Sequence, residues 1–305
     1  MSKLTFKMEN PKQERNFEKF YDKNYKRLLI IPLTLLIFSF IYMGFFYSNT
    51  GEFIHRDFSL TGGTAVTIIG KQIIAEDLKQ SLSDKLDEIN VRETYDIVTR
   101  EQTALIVETK TGIDETKKVL EDYLGYTLDK ENSSFEFISS TLGESFYKQL
   151  LITLLFAFFF MALVVFFIFR SFVPSAAVII SAFADIFMTL TLVNLLGIKM
   201  SSGGIVAFLM LIGYSVDTDI LLTNRILKRT EGTLNERIFG AFKTGITMTL
   251  TSLLAIIFAL IISMSFSPLL TQIFTVLAIG LSFDLLNTWI TNVSLLKWHV
   301  EKNEN

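Results

Sequence analysis

Six apolar runs, each about one bilayer crossing long, constrain this chain more than anything else in it: roughly Leu28–Tyr47, Leu150–Phe169, Pro174–Leu196, Ser202–Leu222, Thr244–Met264 and Leu269–Leu296. Lipid offers the backbone no hydrogen-bond partners, so a run of about 20 apolar residues crosses it as a helix. Half of the 305 residues are hydrophobic, the mean hydropathy is +0.44, and the 29 Phe concentrate in these runs. A water-soluble chain of this length would break them into amphipathic pieces. The expected class is therefore a polytopic α-helical membrane protein with six transmembrane helices. The sixth run exceeds one crossing, so it either tilts or projects beyond the bilayer.

Composition removes several kinds of chemistry. Cys is absent, which excludes disulfides, thiol catalysis and Cys-ligated metal. The two His, His55 and His299, lack ligand-like spacing, so no metal site is expected. No G-x-x-x-x-G-K-[ST] or Gly-rich dinucleotide loop occurs, so neither ATP nor a dinucleotide cofactor is expected, nor any nucleic-acid partner.

Basic residues near span ends orient the chain. Eight Lys/Arg lie between Lys3 and Arg27, Arg170 lies between the second and third spans, and five from Arg225 to Lys243 join the fourth to the fifth. Lys297 and Lys302 follow the sixth, whereas the short loops on the other side carry only Lys199. This asymmetry predicts cytoplasmic termini in a cell-membrane protein. It divides the chain into a cytoplasmic tail (1–27), a first span (28–47), an extracytoplasmic segment (51–149), five further spans (150–296) and a cytoplasmic C-terminal tail (297–305). In the N-terminal tail Phe17, Phe20, Tyr21, Tyr25 and Leu28 recur at near-helical spacing, which suits either an interfacial helix or a basic tail that only sets topology. The first span reads as an uncleaved anchor, because no small-x-small site follows it.

Residues 51–149 change character. Gly63–Gly70 is β-branched and reads as a strand; Ile74–Ile89 sets Leu78, Leu82, Leu86 and Ile89 on one helical face. Val91–Thr99 and Thr103–Thr109 read as a hairpin, Asp114–Leu124 as a second helix stopped by Gly125, and Ser134–Ser139 as a last strand. The order β-α-β-β-α-β is that of a ferredoxin-like α+β domain. With 19 Asp/Glu against 11 Lys/Arg this domain is acidic. Solubility is the plain reading of that acidity; the domain shows no nucleophile with a base, so contact with another protein or an emerging chain is a better expectation than catalysis.

Four aspartates interrupt the apolar runs: Asp185, Asp217, Asp219 and Asp284. A carboxylate at membrane depth costs roughly 2.5–3.5 kcal/mol on insertion scales, so it persists where it meets a partner, water or a proton. Successive residues turn 100°, so Asp217 and Asp219 project about 200° apart. Asp217 then shares a face with Gly213, Leu221 and Asn224; Asp219 shares one with Ser215, Thr223 and Ile226. One would face a partner, the other the chain's own bundle. Asp185 (near Ser181 and Thr189) and Asp284 (near Asn287, Thr288 and Thr291) either take part in charge chemistry or join helices through hydrogen bonds. Arg225, two turns from Asp217, is either a counter-ion or a snorkelling residue. Thr244, Thr247 and Thr251 are read as packing contacts. Gly203, Gly204, Ala207 and Gly213 allow close helix approach, and Gly62-Gly63 allows a tight turn with φ > 0.

The sequence Gly213-Tyr214-Ser215-Val216-Asp217-Thr218-Asp219-Ile220 in the fourth span, with six spans and one domain after the first, resembles the SecF family, and its form is closest to the archaeal branch. Leu60-Thr61-Gly62-Gly63-Thr64 is similar to the family's D-x-x-G-G-T motif, although Asp57 precedes Gly62 by five positions instead of three. The sixth-span stretch Asp284-Leu285-Leu286-Asn287-Thr288-Trp289 is similar too. The resemblance runs from about residue 25 to the end. It implies an RND-like half with a SecD partner, a SecY-type translocation channel, a translocating polypeptide and the proton gradient, with Asp217, Asp219, Arg225, Asp185 and Asp284 as proton-relay candidates and Gly62 and Gly63 as the external-domain motif. It also implies a non-enzymatic role. Two other readings compete: an RND-type exporter of small amphiphiles, which usually has twelve spans, and an intramembrane aspartyl protease, for which the G-x-G-D context is missing.

Overall fold

The computed structural model describes residues 21–69, 73–96, 99–228 and 232–304. Six helices are long and apolar enough to cross a membrane: Tyr21–Thr50, Ser140–Phe169, Phe172–Leu195, Ser202–Lys228, Leu234–Ser263 and Pro268–Lys302. Residues 21–28 are helical and lead into α1 (Ile30–Thr50) as part of the first span. They lie against the far end of the chain, where Tyr21 Oη donates to the Trp289 carbonyl at 3.2 Å and buried Lys297 binds Asp22. The rest of the N-terminal tail, with Phe17 and Phe20, lies outside the described residues.

After α1, a one-turn helix α2 (Phe58–Thr61) enters the acidic segment. Asp57 caps it, accepting from the Ser59 backbone N–H at 2.9 Å. β1 (Gly63–Ile69), α3 (Ala75–Leu82), β2 (Asn90–Tyr95), β3 (Gln102–Thr109), α4 (Ile113–Leu124) and β4 (Ser133–Ile138) follow. The result is a four-stranded antiparallel sheet in the order β2-β3-β1-β4. Strand alternation sends Val66, Ile68, Leu105 and Val107 to one face, where Leu78, Leu82 and Leu120 of the two helices cover them. Helix α3 ends sooner than the Ile74–Ile89 reading, yet Leu86 still reaches this core.

The spans are α5 (Ser140–Phe169), α6 (Phe172–Leu195), α7 (Ser202–Lys228), α8 (Leu234–Ser263) and α9 (Pro268–Leu286). A π-helical turn, Asn287–Asn292, joins α9 to α10 (Val293–Glu304). The helix of α5 begins ten residues before the apolar run, at a Ser139 cap. Thr233 and Glu236 form a capping box for α8, and Ser267 caps α9 with Pro268 in its first turn. In the most apolar stretches of α6 and α7, 56% of residues are buried, against 6% in α5. α6 and α7 are therefore central, and α5 flanks the bundle with most of its apolar surface uncovered by the described chain.

The sheet is tied to the bundle through backbone. Gly62 has φ +82°, and a Cβ there would lie 2.5 Å from the Ser140 backbone; a Cβ on Gly143 would lie 2.7 Å from the Gly62 nitrogen. Asp57 N–H donates to the Met200 carbonyl at 3.0 Å and Met200 N–H to the His55 carbonyl at 2.6 Å, bridging the entry segment to the α6–α7 loop. The uncovered sheet face, with Thr67, Ile106 and Glu136, looks across a cavity of about 980 Å³ to Ser201, Phe266 and Leu269 at the helix ends.

Candidate functional site

α7 separates its two aspartates as the 100° step requires. Ser215, Asp219, Thr223 and Ile226 are buried, while Gly213 and Asp217 are exposed and Leu221 and Asn224 half-buried. Asp219 therefore enters the bundle, and Asp217 lies on a stripe with Val206, Met210 and Tyr214 that no other part of the described chain covers.

Inside the bundle Asp219 meets Asp185 of α6 and Asp284 of α9, all three wholly buried. Ser215 of α7 donates to Asp185 Oδ2 at 2.6 Å, and Ser181 of α6 donates to Asp219 Oδ1 at 3.4 Å. Each helix carries S-x-x-x-D, and each serine serves the aspartate of the other helix. The π-helical turn supplies the remaining donors. Asn287 Nδ2 donates to Asp185 Oδ1 at 2.7 Å and Asn292 Nδ2 to Asp219 Oδ1 at 2.7 Å. Thr291 donates to Asn287 Oδ1 at 3.2 Å, which aims that amide's N–H2 at Asp185. Thr288 Oγ1 lies 2.8 Å from Asp219 Oδ1 and 3.1 Å from Asp284 Oδ1. π-helical turns inside α-helices are frequent at functional sites, and this one carries every sixth-span donor to the cluster.

Among the described residues no basic side chain pairs with any of these carboxyls. Three like charges buried together without a cation repel and forgo hydration, so they cannot all be ionised at once. Asp219 Oδ2 and Asp284 Oδ2 are buried without a hydrogen-bond partner. The arrangement suits holding and moving protons. No group of three His, Asp or Glu is placed to hold a metal ion among the described residues.

The other candidates fall elsewhere. Arg225 Nη1 donates to the Gly240 carbonyl of α8 at 2.6 Å, which ties two helix ends together away from the carboxyls. Thr244, Thr247 and Thr251 each donate to a carbonyl four residues back on their own helix, and Thr247 and Thr251 are exposed, so these bonds show no packing contact with another helix. Gly203 and Gly204 allow Leu269 and Gln272 to approach closely, but nothing lies within 4 Å of a Cβ on Gly213, so it makes no close approach among the described residues. Gly62 and Gly63 form the joint beneath the sheet, some distance from the cluster in the fold. Asn292 was missed by sequence reasoning; its signal was the recurrence of polar residues at 284, 287, 288, 291 and 292 in an apolar run.

A family profile described as "Protein export membrane protein SecD/SecF, C-terminal" matches residues 118–302. The protein-export membrane protein SecF of Methanocaldococcus jannaschii is 38% identical over 284 residues, covering 91% of this chain and 96% of that one. The SecF of Haloferax volcanii is 37% identical (90% and 92%), and that of Pyrococcus furiosus 34% (92% and 92%). Among solved structures, SecDF from Thermus thermophilus, a translocon-associated membrane protein, superposes with a TM-score of 0.70 at 19% identity. That match covers 91% of this chain and 38% of the longer SecDF chain, and it establishes likeness of fold.

Proposed function

The chain belongs to the SecF family of protein-export membrane proteins, and on that premise we propose that it works beside a SecD subunit, using the proton motive force to help polypeptides leave a SecY-type channel. It is a multi-pass membrane protein with an accessory role in Sec-dependent export. The observation that carries the proton-driven reading is the carboxyl cluster: three buried aspartates on three spans, bridged by hydroxyls and without a counter-cation. Asp219, Asp185 and Asp284 are the proton-handling groups in this reading. Asp217 and its exposed stripe meet the SecD half, because a carboxylate facing lipid at that depth would cost roughly 2.5–3.5 kcal/mol. The sheet module is a ferredoxin-like domain outside the cell, with both termini cytoplasmic, as the basic loops support. Its open face and the cavity beneath are where an emerging polypeptide would be contacted.

The test is export by cells carrying Asp219→Asn or Asp217→Asn as the sole copy. Both variants are expected to assemble with the partner subunit, and Asp219→Asn to lose the gradient-dependent part of export. Full export by Asp219→Asn would overturn the proton role.

An exporter of small amphiphiles is the second reading. A largely apolar cavity of about 490 Å³, lined by Phe239, Phe242, Leu285 and Trp289, gives it a structural basis. Sensitivity to amphiphilic drugs with normal secretion in a deletion strain would favour it.

A further inference from the structure

We infer that Thr288 is a proton bridge: its hydroxyl relays a proton between Asp284 on α9 and Asp219 on α7, so that the two carboxyls hold that proton in common. This deepens the proton-driven reading and rests on it.

Thr288 Oγ1 lies within hydrogen-bonding distance of two carboxyl oxygens, 2.8 Å from Asp219 and 3.1 Å from Asp284. A hydroxyl has one hydrogen to donate. The second contact is a hydrogen bond only if that carboxyl brings its own proton. Otherwise an anionic oxygen faces a hydroxyl lone pair in a site where all three residues are 0% exposed.

The surroundings say which carboxyl carries it. Asp219 Oδ1 is met by the Asn292 amide, the Ser181 hydroxyl and Thr288, a donor set that suits a carboxylate. Asp284 receives no amide. Its other neighbour, Ser215, also has a single hydrogen, and at 2.6 Å that hydrogen goes to Asp185. Asp284 is thus the acid in this arrangement, Asp219 the anion, and Thr288 donates to Asp219 while accepting from Asp284. Asp185 of α6 is the other titratable group facing the pair, and no basic side chain of the described residues is paired with either member.

Transfer needs no further reactant. The Asp284 O–H bond breaks and its proton bonds to Thr288 Oγ1, whose own hydrogen passes to Asp219 Oδ1. Asp284 is then the carboxylate, Asp219 the acid, and the hydroxyl points the other way. Charge has moved from α7 to α9, which biases the packing of the two helices. Placing Thr288 within the π-helical turn holds its oxygen between both helices.

The experiment uses the full chain with its partner subunit in native membranes and compares Thr288→Ser, Thr288→Val and Asp219→Asn. Thr288→Ser keeps a hydroxyl and is expected to keep gradient-dependent export. Thr288→Val keeps the shape and is expected to lose it by about tenfold or more, with unchanged melting and partner co-purification. The infrared carbonyl band that disappears in Asp284→Asn is expected to move to higher frequency in Thr288→Val, because the acid loses its acceptor. Should Thr288→Val melt early, Thr288→Ala is read in its place with the same expectation. Normal export in the valine or alanine variant, or an unmoved carbonyl band, overturns the bridge while a defective Asp219→Asn leaves the proton-driven reading standing. Normal export in Asp219→Asn as well would remove both.

Discussion

Asp217 and Asp219 stand two residues apart on α7 and face opposite ways, the first exposed on the outside of the bundle and the second wholly buried within it. Replacing each with Leu should therefore have different consequences. Asp219→Leu leaves the buried Asn292 amide without its acceptor, at a cost of about 1–3 kcal/mol. Asp217→Leu breaks no hydrogen bond within the described chain and is expected to change stability by about 0.5 kcal/mol or less. Thermal melting of the purified chain in detergent measures both. A larger loss for Asp217→Leu would contradict the outward placement.

The joint between the sheet and the second span should tolerate no side chain. A Cβ on Gly143 would sit 2.7 Å from the Gly62 nitrogen and 3.1 Å from the Leu60 carbonyl carbon, backbone atoms that cannot swing aside. Gly143→Val is expected to destabilise the chain by about 2 kcal/mol or more. Gly44→Ala, with nothing within 4 Å of its Cβ, serves as the control and should stay near the parent melting temperature.

Asn194 at the end of α6 donates to the Phe53 carbonyl at 2.8 Å, holding the entry segment that Met200 also pairs with. Asn194→Ala should release that segment locally. Hydrogen exchange at the Asp57 and Met200 amides is expected to quicken about tenfold or more, in line with losing the bond to Phe53, worth about 1.4 kcal/mol, and the longer 3.4 Å bond from the His55 N–H. Unchanged exchange there would show that the backbone bridge stands without the amide.

Burial holds the Asp57 carboxyl above its ordinary value of 3.8, against the hydrogen bonds from Ser59 and the charge of Arg92. A carboxyl whose folded value is raised binds its proton more tightly in the folded state. Its contribution is present at pH below the ordinary value and fades as pH rises through the raised one. Asp57→Asn keeps the helix cap but cannot ionise. Melting of the parent relative to this variant should thus fall as pH climbs from below 3.8. A difference that is flat or grows with pH would refute the assignment.

The spans and the sheet module were legible because their signals are local. Twenty apolar residues declare a crossing, and alternation with turn residues marked the strands, including the hairpin that pairs Tyr95 with Gln102. The rotation that parts Asp217 from Asp219 is legible for the same reason, since it needs only the helical step. What lay out of reach were the partners. Ser181 precedes Asp185 by one turn and invites a contact along the helix; it instead donates to Asp219, 38 positions away. Arg225 reads equally as a counter-ion or as a snorkelling residue, and a backbone carbonyl of α8 takes its guanidinium.

The order of amino acids alone determined that this chain crosses a membrane six times, carries one acidic α+β module after the first crossing, and keeps four carboxyls at depth. Those properties follow from hydropathy and from periods of 2 and 3.6 residues, which act over a few positions. Only the tertiary structure decided that Asp185, Asp219 and Asp284 share one cluster, that Asp217 is left outside, and that a π-helical turn delivers Asn287, Thr288 and Asn292 to them. Such contacts depend on how far each helix is rotated and shifted against its neighbours. Packing across the whole bundle sets that, and no local pattern records it.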